Sequence, residues 1–79
     1  MESMESLVYH LAQALVDDPE SVSVKVREDA DSMHVELSVA PDDMGKIIGK
    51  HGRIANAIRV ITKAVGNVAH KKVYVDIVD

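Results

Sequence analysis

Residues 45–54 of this 79-residue chain read Gly-Lys-Ile-Ile-Gly-Lys-His-Gly-Arg-Ile. Within this stretch, Gly49 and Gly52 bracket two residues that can carry positive charge, Lys50 and His51. Glycine adopts a positive φ without steric penalty and lets another backbone come close. The spacing therefore predicts a tight turn between two helices.

The predicted turn combines backbone amides with positive charge. Gly52 stands at the start of the second helix, where free N–H groups and the helix dipole favour an anion. Lys46 and Arg53 add cations on either side of the turn. Such a segment can hold a sugar-phosphate backbone. The alternative is that the two glycines only form a tight corner between helices.

The two helices extend outward from this turn. Pro41 occupies a favoured first-turn position and opens the first of them, which ends near Gly49. The second begins at about Gly52 or Arg53 and reaches Val65, and we expect Gly66 to cap its carboxyl end.

The rest of the chain supplies a further helix and three strands. Apolar residues at three- and four-residue spacing predict a helix over roughly 3–17, with Ser3 as N-cap. Period-two alternation over 22–27, 33–39 and 73–78 predicts strands, the first two forming an antiparallel hairpin. The order αββααβ indicates a single α+β domain over 1–79, with a three-stranded sheet and helices packed on one face.

Charge is unevenly distributed along the chain. Residues 1–43 hold two lysines and arginines against eleven acids, a net charge of −9, and residues 44–79 hold seven against two, a net charge of +5. Positions 44–75 contain no acid. This asymmetry favours a basic surface that faces an anionic partner. Alternatively, the cations are scattered over solvated faces and have no collective role.

Several classes of protein are excluded or disfavoured. The absence of cysteine rules out disulfides and thiolate metal sites. The histidines show no metal-ligand spacing, and no nucleophile–base pair or nucleotide-binding loop is present, so we expect no metal, no cofactor and no enzymatic activity. No apolar run approaches the ~20 residues of a membrane span, and the amino terminus does not resemble a secretory signal. We expect a cytoplasmic protein with no membrane partner.

The second helix is apolar around most of its circumference. Such a helix is either deeply buried or covered by a partner. We therefore expect Ile58, Ile61 and Val65 to be candidates for a dimer contact, with plain core packing as the alternative.

The string from Ile47 to Ile58, together with the element order, resembles the signature of the type II KH domain, and the length resembles the small bacterial KhpA family. The resemblance implies single-stranded RNA binding, in which a GxxG loop at 49–52 grips the backbone of about four nucleotides. The backbone contacts implied are Gly49, Lys50, His51, Gly52, Arg53 and Lys46. The implied base groove is lined by Ile47, Ile48, Ile54 and Ile58, with residues near Val35 to Val39 as its far wall.

The resemblance also implies a biological setting. It suggests a post-transcriptional regulator or RNA chaperone, linked to cell shape, that acts as a homodimer or as a heterodimer with a larger Jag/KhpB-type protein. The alternative function is a dimerisation or scaffold module for such a partner, with incidental RNA affinity. A helix-turn-helix reader of duplex DNA is disfavoured, because the second helix opens with too few polar residues to read a groove.

Aromatic residues are scarce, with only Tyr9 and Tyr74 and no phenylalanine or tryptophan. Many RNA-binding modules stack bases on exposed aromatic rings. Neither tyrosine is near the predicted loop, and we expect both to be half-exposed amphipathic residues rather than stacking platforms. Base contacts at the loop would then depend on aliphatic packing.

Overall fold

The first helix is capped as its sequence predicts. The computed structural model describes residues 3–78, apart from the side chain of Lys50. Helix α1 spans Met4–Leu15, and the Ser3 hydroxyl accepts a hydrogen bond from the Ser6 amide at 3.1 Å. A short 3₁₀ turn over Pro19–Ser21 leads into the sheet.

The sheet contains three strands in the order β1-β2-β3. Strand β1 is Ser23–Glu28, β2 is Ser32–Ser38 and β3 is Lys72–Val78. The β1–β2 hairpin is antiparallel, as predicted, and β3 lies parallel to β2. The long return needed for a parallel pair is made by the helical segment between β2 and β3.

One face of the sheet carries the core. The register places Val26, Val35 and Val75 side by side, and Val24, Leu37 and Ile77 in the next row. Both helices pack on this side, which confirms the predicted α+β arrangement. The buried apolar residues are Met4, Val8, Ala12, Val16, Val22, Val35, Leu37, Val39, Ile47, Ala55, Ile58, Val73 and Val75.

Helix α2 spans Pro41–Val68, but its backbone is interrupted in the middle. His51 and Gly52 have φ angles of 63° and 69°, in the left-handed region. A right-handed helix cannot continue through two such residues. The interruption divides α2 into a first arm, residues 41–50, and a second arm, residues 53–68, so the predicted helix–turn–helix is confirmed.

The carboxyl end of α2 differs from the prediction. Gly66 does not cap the helix, since α2 continues to Val68 and Gly66 is buried within it. The left-handed residue after the helix is His70, with a φ of 60°. The His70 amide donates to the Asn67 carbonyl and the Lys71 amide to the Gly66 carbonyl, which is the Schellman pattern. Gly66 is required instead by the close approach of Lys71 and Val73.

The Asp43 side chain connects α2 to the end of α1. This carboxylate is 1% exposed and accepts hydrogen bonds from the Asp17 amide at 3.0 Å and the Asp18 amide at 3.1 Å. Backbone amides left unpaired inside a protein are costly, so one acidic side chain here satisfies two donors. It thereby fixes the first arm of α2 against the segment that follows α1.

We expect Asp43→Ala to lower the free energy of unfolding by about 3 kcal/mol, because two hydrogen bonds to the side-chain carboxylate are lost. Asp42→Ala is the matched control: Asp42 is exposed in the same helical turn, and its loss removes only a helix-dipole contribution of about 0.5 kcal/mol. Urea unfolding followed by circular dichroism measures both values. Equal losses in the two variants would contradict the role assigned to Asp43.

We expect Gly66→Ala to destabilise the protein by about 1–3 kcal/mol through overpacking. A Cβ at position 66 would overlap the Val73 side chain and lie 2.8 Å from the Lys71 carbonyl oxygen. At Gly45, in the same helix, a Cβ meets no described atom within 4 Å. Gly45→Ala should therefore raise stability by up to about 1 kcal/mol. A thermal melt in which both variants gain stability would rule out the close approach at Gly66.

Candidate nucleic-acid interface

The loop at 49–52 is shaped by two consecutive left-handed residues. Gly52 needs no side-chain clearance in this conformation, and histidine is among the residues that tolerate it better than most. Asp43 and Ile47 are four residues apart and both are buried. In an unbroken helix, position 51 would lie on the same face and also be directed toward the core. His51 is instead exposed, because the interruption turns the chain outward at that point.

Gly49 is required neither by its backbone angles nor by its neighbours. Its φ is not positive, and a Cβ built there meets no described atom within 4 Å. Within a helix, alanine would be more stable than glycine at such a position. The surface above Gly49 is therefore open to the close approach of another molecule.

The predicted cations do not all remain free at the loop. His51 and Arg53 are exposed beside Gly52. Lys46 is directed to the other end of the first arm, where its Nζ lies 3.0 Å from the Asp17 Oδ1. Part of its charge is thus compensated, a pairing across 29 positions that local sequence patterns do not reveal. The side chain of Lys50, also predicted for this site, lies outside the described residues.

The four isoleucines of the expected base groove separate into two pairs. Ile47 and Ile58 are 0% and 1% exposed and belong to the core, so neither is accessible to a base. Ile48 is 52% exposed and Ile54 is partly buried against the core, so these two form the accessible apolar surface beside the loop.

The expected far wall is also directed inward. Val35, Leu37 and Val39 are each at most 3% exposed, because alternate residues of β2 face the helices and Val39, just after the strand, continues the same alternation. These three side chains pack in the core rather than lining an open groove.

The second arm of α2 exposes an apolar stripe. Ile61 and Val65 are 39% and 41% exposed, in agreement with their expected accessibility, whereas Ile58 is a core residue and cannot belong to the same surface. Val60 and Val68 are more exposed still, at 67% and 83%. The apolar stripe consists of Ala57, Val60, Ile61, Ala64, Val65 and Val68, which follow one another at intervals of three and one.

The described residues contain neither a candidate metal centre nor a candidate membrane-spanning helix. Within 3–78, no group of three or more histidine, aspartate or glutamate side chains is arranged to hold a metal ion. None of the described helices is both long and apolar enough to cross a membrane.

Comparison with known proteins identifies the family. The family model described as "KhpA/KhpB, KH domain" matches residues 5–77. The RNA-binding protein KhpA of Halalkalibacterium halodurans is 50% identical over 76 residues, covering 96% of this chain and 100% of the relative. The RNA-binding protein KhpA of Caldanaerobacter subterraneus subsp. tengcongensis is 49% identical over 75 residues, covering 95% and 100%.

A solved structure supports the fold. The crystal structure of Era in complex with MgGDPNP and nucleotides 1506–1542 of 16S ribosomal RNA superposes with a TM-score of 0.69 at 21% identity. The match covers 95% of this chain and 29% of that one, so it concerns a single part of Era. With a family model that spans nearly the whole sequence and relatives about half identical over their full length, this chain belongs to the KhpA/KhpB family of KH domains.

Proposed function

We propose that this protein binds single-stranded RNA by gripping the sugar-phosphate backbone at the loop 49–52. The observation that carries the proposal is the open space above Gly49. Neither the loop conformation nor internal packing requires a glycine at this position. A ligand backbone that must come close would explain a glycine there. The curated relatives are named RNA-binding proteins, and the loop provides the cationic side chains expected for that ligand.

Charge at the loop accounts for affinity, and aliphatic contacts account for base packing. Arg53 stands beside the loop with His51, which can carry positive charge, and Lys50 adds a further cation by sequence. Ile48 and Ile54 offer the adjoining apolar surface, with no phenylalanine, tyrosine or tryptophan in the 49–58 segment. Aliphatic packing discriminates poorly among bases, so we expect the protein to have little preference for particular RNA sequences. We also expect the affinity of this single small site to be in the micromolar range.

A second function concerns the apolar stripe. Six exposed apolar residues on one helical face favour a protein partner, and a second copy of this chain or a Jag/KhpB-type protein would fit that role. A dimer would bring two weak loops onto one RNA and raise affinity through avidity. The same surface alone would serve a scaffold module. We propose that the protein has both functions, RNA binding and dimerisation, and acts in the cytoplasm as an RNA chaperone or post-transcriptional regulator.

We expect the wild-type protein to bind a labelled single-stranded RNA in fluorescence anisotropy with a salt slope of about −2 to −3, for three or four phosphate contacts at roughly −0.7 each. Lys50→Asp/His51→Asp should abolish most binding and reduce the magnitude of that slope by about 1.4, because two contacts are lost. The charge-matched control is His10→Asp/Arg59→Asp, on α1 and on the second arm of α2, outside the loop.

A third variant separates close approach from charge. Gly49→Ala keeps every cation and leaves the fold intact, since its Cβ meets no described atom, yet it should weaken RNA binding by occupying the open space. Thermal melts confirm that each variant folds. Unchanged affinity in Gly49→Ala would refute the backbone-approach mechanism, and equal binding by both double variants would refute the loop as the site.

We expect the wild-type protein to sediment as a dimer at high micromolar concentration and Val60→Asp to sediment as a monomer. Val60 is 67% exposed, so the substitution costs the monomer little, but a charge buried in the interface without a partner costs about 3 kcal/mol, or roughly a hundredfold in dissociation constant. Ala14→Asp places the same charge at an exposed position of α1, outside the stripe, and should remain dimeric. A wild-type protein that is monomeric throughout would exclude self-association.

A further inference from the structure

The outer face of the sheet carries an aromatic pair that the proposed loop site does not use. The register places Arg27 beside His34 and His34 beside Tyr74, one residue from each strand. The His34 and Tyr74 rings are stacked, with centroids 5.2 Å apart and an interplanar angle of 18°. Tyr74 is nevertheless 53% exposed, so a large part of it remains available to a ligand.

Unpaired cations flank this aromatic pair on two sides. At the β3 edge, Lys63 and Asn67 from α2 join Lys72 around a shallow depression that Tyr74 also lines. On the other side, Arg27 lines a second depression together with His34 and Tyr74. Among the described residues, no acidic group pairs with Lys63, Lys72 or Arg27.

The acidic groups near the pair limit how an anion could lie on this face. Lys71 is already occupied, with its Nζ 3.2 Å from the Glu28 Oε1. The Asp29 Oδ2 lies 3.5 Å from the His34 Nε2. Glu36 and Asp76 form the next row of the face, opposite Lys25. Phosphates would be repelled from that row and attracted to the Lys63–Lys72 edge.

A nucleotide of single-stranded RNA has a base and a phosphate that complement the aromatic ring and the cations of this face. An aromatic ring offers a stacking surface to any base, and neighbouring cations hold the backbone of a single strand. Carboxylates accept hydrogen bonds from exocyclic amino groups such as that of cytosine. The row of Glu36 and Asp76 would thus face the edge of the base, and the lysines would face its phosphate.

We propose that the outer sheet face is a second contact for single-stranded RNA, in which an amino-bearing base stacks on Tyr74 and its phosphate lies against Lys72 and Lys63. This inference rests on the proposed RNA-binding function and extends it to a surface built from the strands rather than from the loop. It also revises the expectation that Tyr74 has no stacking role.

The experiment compares two labelled oligocytidines by anisotropy. One has about four nucleotides, the length a KH loop grips, and the other about 16, the upper range for a small single-strand-binding domain. Tyr74→Leu should weaken binding of the long probe about tenfold, as expected for one lost stacking contact. It should leave the short probe unchanged, since the loop is intact.

Two variants separate stacking from a structural role. Tyr74→Phe keeps the ring and should bind the long probe like the wild type. Tyr9→Leu is the matched control: Tyr9 is also exposed, at 36%, but it lies on α1 in a depression lined by Ser3, Glu5 and Ser6. Thermal melts confirm that all three variants fold.

Tyrosine fluorescence gives a direct readout at the site. The chain has two tyrosines and no tryptophan, so Tyr9→Leu leaves Tyr74 as the only strong fluorophore. The long probe should quench the emission of Tyr9→Leu and leave that of Tyr74→Leu unchanged, because stacking acts only on the ring in contact with the base.

The outcomes distinguish this inference from the proposed function. A wild-type protein that binds neither probe overturns both. If the loop variant Lys50→Asp/His51→Asp loses binding while Tyr74→Leu binds the long probe as tightly as Tyr9→Leu, the sheet contact alone is overturned. Equal losses in Tyr74→Leu and Tyr74→Phe, or loss of the short probe as well, also overturn it, since stacking on a surface separate from the loop predicts neither.

Discussion

Two consecutive left-handed residues, His51 and Gly52, determine how the rest of this domain is arranged. They break one long helical segment into two arms, and both arms deliver side chains to the same core. Ile47 reaches the core from the first arm and Ile58 from the second. The residues between them are left on the outside, so the feature that closes the core also exposes the proposed RNA-binding loop.

The remaining contacts hold these arms in place. The buried Asp43 carboxylate ties the first arm to the end of α1 through two backbone amides. At the other end, Gly66 allows the second arm to lie close to the start of β3. Both contacts depend on short distances between specific groups, which helps a small domain with little buried surface to keep a defined geometry.

The fold leaves three different surfaces exposed. The loop carries cations and an open backbone, the second arm carries the apolar stripe, and the outer sheet face carries a stacked aromatic pair beside lysines. These surfaces differ in chemistry, so the proposed RNA contacts and the proposed protein contact depend on different residues. The net charge of −4 is therefore an incomplete description of the protein, because the sign of the charge differs between its surfaces.

Local patterns in the sequence were enough to determine the elements. Spacing of three and four predicted the helices, alternation predicted the strands, and the glycine pair predicted the break at Gly52, because each depends on neighbours in the chain. The sequence could not separate Ile47 from Ile48, or Ile58 from Ile61, since most of the helical circumference is apolar. Only the position of the sheet assigns one face to the core.

Long-range contacts decided the rest. Gly66 resembles a helix cap in sequence, but β3 passes beside it and His70 takes the left-handed position. Lys46 resembles a loop cation, yet Asp17 pairs with it from a distant part of the chain. The stacking of His34 on Tyr74 arises because β3 lies parallel to β2 in one register. Residues 40 positions apart have no shared local pattern, so only tertiary packing could bring those two rings together.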